Sequence, residues 1–334
     1  MATRPRVALV HTGGTLGMDA SGRPLTPQAL REQLSDLTDL TKMADLDVQV
    51  FTNIDSSDAT PKLWQDLARK VDGLLPKVAG VIVVHGTDTM AWSATALGLM
   101  MRGLPKPVVF TGSQRPLGAL RSDAPRNLLN AAELCLTGPQ DVMVVFGDRV
   151  LRGVACTKDS IFHFDAFRSN NAEDVGRIGL EVKLDTRPRK GPRRYWLDTR
   201  LSTKIGVMPL VPGMDPALGL AWLDAGIEGL ILEGFGAGNI PLGEVPFTGL
   251  LEEARRRGVR VVMGTQCRHG RVDPELYAGA RAAREGGAAF AYGMTREAQQ
   301  VKLMALLGRG ISPGKFRREF ETDWVGEIPG EVRG

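Results

Sequence analysis

Two short apolar runs, at residues 7–10 and 81–84, each stop at a loop of glycines and hydroxyls. Thr12-Gly13-Gly14-Thr15 follows the first and His85-Gly86-Thr87-Asp88-Thr89 the second. An unbroken run of Val, Ile and Leu reads as a strand buried on both faces, the mark of a parallel α/β sheet. In open α/β sheets, ligands collect outside the carboxyl ends of the strands. The two loops are therefore expected to face one site.

The pattern around them predicts the architecture. Residues 6–11, 46–51, 80–84, 107–111 and 142–146 read as strands alternating with helical segments, as in βαβ units. Thr26-Pro27 and Thr60-Pro61 each place a capping hydroxyl before a proline suited to the first helical turn. After the second, Leu63, Trp64, Leu67 and Val71 recur on one helical face. A further alternating region begins near Ile205, with strands at 230–232 and 259–263 and helices at 247–257 and 295–307. The expectation is an α/β protein with a flavodoxin-like parallel sheet over residues 1–180, a basic linker at 181–204 and a smaller α/β domain at 205–334. In the flavodoxin-like order, the first and third strands are neighbours, which brings Thr15 and Thr87 together.

Composition narrows the function classes. With 43% hydrophobic and 24% charged residues, the 334-residue chain is globular rather than disordered or collagen-like. Its net charge of +4 is too slight and dispersed to imply nucleic acid. Only the 181–204 stretch concentrates bases, among them Lys183, Arg187, Arg189, Lys190 and Arg193. A solvated linker is the stronger reading there and a polyanion patch the weaker. Three cysteines, an odd count without framework spacing, point to reduced thiols in the cytosol. No secretory signal or bilayer-spanning stretch is expected. The four histidines lack metal-ligand spacing, so neither a metal nor an ordinary Ser/His/Asp triad is expected.

Each site motif has a plain structural alternative. Thr12-Gly13-Gly14-Thr15 reads equally as a tight turn, and it lacks both the P-loop ending and the full G-x-G-x-x-G spacing. Thr87-Asp88-Thr89 could be an N-cap with an acidic first turn, although it carries one hydroxyl more than a cap requires. An ionised Asp88 can pair with a substrate ammonium, and Thr87 can carry a proton. Asp55-Ser56-Ser57-Asp58 is readable as a capped helix start. Lys158 is a base only if it is buried beside hydroxyls.

Taken together, these residues resemble the bacterial-type L-asparaginase family. The combination of the two loops is specific for that family. The likeness continues through Asp55-Ser56-Ser57-Asp58, Thr111-Gly112-Ser113-Gln114, Arg121-Ser122-Asp123, Thr157-Lys158, Phe164-Asp165-Ala166-Phe167 and Thr265-Gln266-Cys267. The resemblance, of the cytoplasmic type, implies an amidohydrolase converting L-asparagine to L-aspartate and ammonia without a cofactor. It implies Thr15 as nucleophile, Thr87 with Lys158 as a second hydroxyl-and-base pair, and Asp88 on the substrate α-ammonium. Asp55 and Ser56 would hold the amino-acid end, while the backbone N–H groups of Thr87 and Ser113 would face the oxyanion. It implies a homodimer or homotetramer and no nucleic-acid or membrane partner.

The chain departs from the family at two places. No tyrosine stands between Leu16 and Gln28, where secreted members carry a lid tyrosine. Glu233 occupies the place of an arginine used by an effector site in some cytoplasmic relatives, and its carboxylate is expected to repel the effector. Asn239 is read either as a turn residue or as one leaning into a neighbouring subunit's site. Two other functions are weighed. An ammonia-supplying subunit of a transfer-RNA amidotransferase is disfavoured because the first motif lies so near the amino terminus. A non-catalytic sensor of acidic amino acids gives Thr15, Thr87 and Lys158 no reason to occur together.

Overall fold

The structure, a computed structural model, describes residues 4–19, 21–185 and 194–330. The chain divides into two compact units, residues 1–169 with 173–199, and residues 170–172 with 200–334.

The first unit is built on an eight-stranded sheet. Five of its strands are β1 (Arg6–Gly13), β2 (Asp45–Ile54), β3 (Gly80–Val84), β4 (Val108–Thr111) and β5 (Val142–Phe146). These run parallel in the order β2-β1-β3-β4-β5. The chain order reverses between β1 and β3, as the flavodoxin-like reading predicts. Beyond β5, the sheet continues through β6 (Arg149–Arg152) and, after a separate hairpin of β7 (Cys156–Lys158) and β8 (Phe167–Ser169), through β9 (Gly176–Ile178) and β10 (Val182–Leu184). The three added strands are antiparallel. They are short and partly exposed, so no apolar run announces them.

Strands β3 and β5 are buried at every residue. Helices α1 (Pro27–Ser35), α2 (Thr38–Met43) and α5 (Ala124–Thr137) bring Leu30, Leu34, Leu40 and Leu128 into one core with Val7, Leu9, Ile82 and Val84. Each such side chain contributes about 1.5–3 kcal/mol through burial. The predicted caps form: Thr26 accepts from Ala29 N, and Thr60 from Leu63 N at the start of α3 (Pro61–Leu74). Trp64, Leu67 and Val71 are buried along α3. Helix α4 (Met90–Met100) is buried at every residue but Trp92 and lies against β4 and β5.

Within the expected 181–204 linker, residues 182–184 form β10, and Trp196–Leu197 pairs antiparallel with Met101–Arg102. The bases Arg187, Arg189, Lys190 and Arg193 lie outside the described residues.

The second unit carries a parallel four-stranded sheet of β11 (Ile205–Pro209), β12 (Gly229–Gly234), β13 (Arg260–Thr265) and β14 (Ala289–Phe290), in that order. Its helices are α6 (Ala217–Asp224), α7 (Thr248–Arg256), α8 (Ala278–Glu285), α9 (Arg296–Gly308) and α10 (Pro313–Glu321). Among the described residues, no helix is long and apolar enough to cross a membrane.

Candidate active site

The loops that follow β1, β2, β3 and β4 meet at the carboxyl ends of their strands. Gly14, with φ of 86°, sits in the left-handed region, and a Cβ there would overlap the Cα of Gly86. A Cβ on Gly86 would in turn lie 2.6 Å from the Cβ and Oγ of Ser56. Only glycine permits this approach. Thr15 and Thr87 thus each follow a glycine of this close backbone approach, and the Ser56 side chain packs against it.

Hydrogen bonds lock the same loops. Thr12 Oγ1 donates to Val84 O at 2.9 Å, His85 N donates to Thr111 O at 2.9 Å, and Thr89 Oγ1 donates to Ser56 O at 2.6 Å. The extra hydroxyl of the second motif is accounted for by this last bond. Thr89 stands at the N-cap of α4, yet its side chain makes no capping bond; it ties the loop after β3 to the loop after β2.

Beneath the second loop runs a buried chain of polar groups. His85 Nδ1 lies 2.8 Å from Gly86 O, its Nε2 2.9 Å from Ser93 Oγ, and Ser93 Oγ accepts from Trp64 Nε1 at 2.9 Å. Only the tautomer with hydrogen on Nδ1 satisfies every member, because a carbonyl cannot donate. Burial pushes the His85 pKa down to about 4, so the ring is neutral at pH 7. Burial also lowers the pKa of His11, whose Nε2 is 3.3 Å from Asn53 Oδ1.

Lys158 ends the β7 strand, and its side chain is only 15% exposed. Its Nζ lies 2.8 Å from Thr87 Oγ1 and 2.5 Å from Asp88 Oδ1. This gives a hydroxyl, an amine and a carboxylate in sequence, the arrangement in which a base is oriented by a third group. The Asp88 side chain, 67% exposed, keeps an open face for a cation. The family resemblance pairs Lys158 with Thr87; the contact of Lys158 with Asp88, the next residue along, is not among its implications.

The remaining predicted residues stand on the loops after β1, β2 and β4. Thr15 opens a short 3-10 turn, partly exposed. Ser56 is buried. Ser113, also buried, follows β4, and its hydroxyl donates to Arg115 O at 2.6 Å. Asp55 Oδ1 accepts from Ser57 N at 2.8 Å and from Ser57 Oγ at 2.7 Å, and these bonds hold its pKa below the usual carboxylate range. Among the described residues, no group of three or more His, Cys, Asp or Glu is placed to hold a metal ion.

Comparisons with known proteins decide the family. Residues 6–190 match the family described as asparaginase, N-terminal, and residues 204–320 match the glutaminase/asparaginase C-terminal domain. The chain belongs to the asparaginase family. It is 34% identical to L-asparaginase 1 of Escherichia coli, covering 96% of this chain and 97% of that one. It is 32% identical to a glutamyl-tRNA(Gln) amidotransferase polypeptide of Pyrococcus horikoshii, over 97% of this chain but 77% of that protein. The solved L-asparaginase of Thermococcus kodakarensis superposes with a TM-score of 0.89 at 32% identity, covering 97% and 99% of the two chains.

The departures from the family have structural counterparts. Where the resemblance leads one to expect a lid tyrosine, Leu25 N donates to Gly17 O at 2.8 Å, Met18 bridges Pro24, and Leu16 is buried. Glu233 is buried and chelated by Arg296, with Nε at 2.7 Å and a second guanidinium nitrogen at 2.8 Å. Its charge is offset, so the expected repulsion of an effector carboxylate is weakened at its source. Asn239 pairs with Phe235 through both backbone groups, and its side-chain Oδ1 is buried without a hydrogen-bond partner among the described residues.

Proposed function

We propose that this asparaginase-family enzyme hydrolyses the side-chain amide of L-asparagine to L-aspartate and ammonia through a threonine nucleophile. The observation that carries this reading is the contact of Lys158 Nζ with Thr87 Oγ1 and Asp88 Oδ1, at 2.8 and 2.5 Å, beside the loop that presents Thr15.

Thr15 Oγ attacks the amide carbon and passes its proton, through the Thr87 hydroxyl and Lys158, to the departing ammonia. The acyl ester left on Thr15 is then cleaved by water, whose proton follows the same relay while the Thr15 hydroxyl is restored. Asp88, open on one face, binds the substrate α-ammonium. Asp55 and Ser56 hold the amino-acid end, and the N–H groups of Thr87 and Ser113 receive the oxyanion. No cofactor takes part in these steps.

The test is ammonia release from asparagine by the purified protein alone, without transfer RNA or a partner subunit. Folded Thr15→Ala and Thr87→Ala variants are expected to lose turnover; near-normal turnover in either removes that residue from the chemistry.

The working unit is a homodimer or homotetramer. Leu120 (85% exposed), Ile161 (74%) and Phe162 (88%) present apolar side chains to the surface, and exposed apolar side chains of this size favour a covering partner. Light scattering giving a monomer mass would refute it. The odd cysteine count favours a cytoplasmic location, which cell fractionation checks.

A further inference from the structure

The Arg121-Ser122-Asp123 segment, singled out by its sequence, has no part in the mechanism above. We infer that Asp123, together with Asn127, is a positioning residue that aims the Ser113 backbone N–H at the substrate oxyanion. The inference rests on the proposed reading of the site, in which that N–H contacts the reacting carbonyl.

Asp123 occupies the N-cap position of α5 and is almost fully buried, yet its carboxylate makes no capping bond to its own helix. Ser122 takes over that work, its Oγ accepting from Ala124 N at 3.1 Å. Arg121, at a left-handed φ of 59°, turns the chain just before them. The freed carboxylate is directed at the loop after β4. Both its oxygens lie 3.0 Å from Gln114 N, and Oδ1 also accepts from Arg115 N at 3.2 Å.

Asn127, one helical turn on and fully buried, completes the clamp. Its Nδ2 donates to Gly112 O at 2.9 Å and to Asp123 Oδ2 at 3.1 Å, while its Oδ1 accepts from Gly147 N at 3.1 Å. The carbonyl before Ser113 and the N–H after it are therefore both fixed. In a trans peptide, C=O and N–H point in opposite directions. Anchoring Gly112 O to Asn127 thus directs the Ser113 N–H away from α5. That N–H has no acceptor among the described residues, and the Ser113 hydroxyl is already engaged by Arg115 O. The backbone donor is what Ser113 has left to offer a ligand. The loop it sits in is tied to the Thr87 loop through His85 N and Thr111 O.

The test uses the full-length Asp123→Asn protein, which keeps the side-chain volume but has one acceptor fewer, and Asn127→Ala as a second variant should the first fail to fold. Asparagine kinetics, L-aspartate binding and thermal unfolding are measured on each. The expected result is a kcat lowered about 10- to 100-fold, the scale set by a displaced oxyanion donor, with KM and aspartate affinity within about threefold of the parent. Asp123→Glu, which restores the carboxylate at a slightly different reach, recovers part of the loss. A lower melting temperature with full kcat per folded molecule overturns the inference. Turnover at the parent rate in Thr15→Ala and Thr87→Ala would bring down the site reading and this role with it. Loss of turnover in those two, with full kcat in Asp123→Asn, would overturn this role alone.

Discussion

Two of the lysine–carboxylate pairs among the described residues, Lys158–Asp88 and Lys302–Glu327, share a 2.5 Å separation and live in opposite surroundings. Lys302 on α9 and Glu327 are both 0% exposed. The lysine also donates to Thr322 O at 2.6 Å and faces the rings of Phe320 and Trp324, while Glu327 accepts from the backbone N–H groups of Trp324 and Val325. Every strong valence is taken up. Lys158 and Asp88 in the first unit share their contact with a hydroxyl and leave the carboxylate largely open. A saturated ion pair fixes a chain segment, whereas an unsaturated one retains the capacity to exchange protons and bind a cation.

That contrast can be broken by exchanging the readouts. Lys158→Met is expected to lower kcat for asparagine about 10³- to 10⁴-fold, the upper range for loss of a general base, with little change in melting temperature; a large loss of stability with intact turnover would reverse the assignment. Lys302→Met is expected to cost about 3–5 kcal/mol in urea unfolding, because it strands a buried carboxylate, with kcat per folded molecule unchanged. The double variant Lys302→Met/Glu327→Gln recovers part of that loss.

A pH series sharpens the comparison from the first unit. Between pH 6.5 and about 4, an unfolded His85 takes up a proton that the folded one refuses. Stability therefore falls as pH drops through this window, reaching a cost of about 3 kcal/mol below pH 4. Unfolding free energies measured at pH 7 and 4.5 check it, and His85→Gln is expected to flatten the slope. The smallest effect belongs to the second unit. Thr295 caps α9 by accepting from Ala298 N at 3.0 Å, and Thr295→Ala is expected to cost about 1 kcal/mol with no change in turnover.

Much of the first unit is legible in the sequence because its central strands are continuous apolar runs with unambiguous ends. The runs at 80–84 and 142–146 coincide with β3 and β5, and the β1–β3 adjacency follows from the pattern. The antiparallel extension is not legible, because Gly176–Ile178 and Val182–Leu184 are too short to carry a period. At the site, residue types leave Thr15, Thr87 and Lys158 open to plain structural readings and the family resemblance singles them out, while the pairing of Lys158 with Asp88 and of Glu233 with Arg296 arises only when distant segments fold together. The use of Asp123 is hidden for another reason: its partners are backbone N–H groups, which every non-proline residue possesses and which sequence cannot distinguish.

The packing of Gly86 between Gly14 and Ser56 limits how substrate preference can change. With no room for even a methyl group at that seam, the two threonine motifs form a single rigid jaw whose bite cannot be widened by small steps. On the proposed reading, room for a longer amide such as glutamine has to be made away from that seam, so that the breadth of the enzyme is tuned elsewhere while its chemistry stays fixed at the hinge of the jaw.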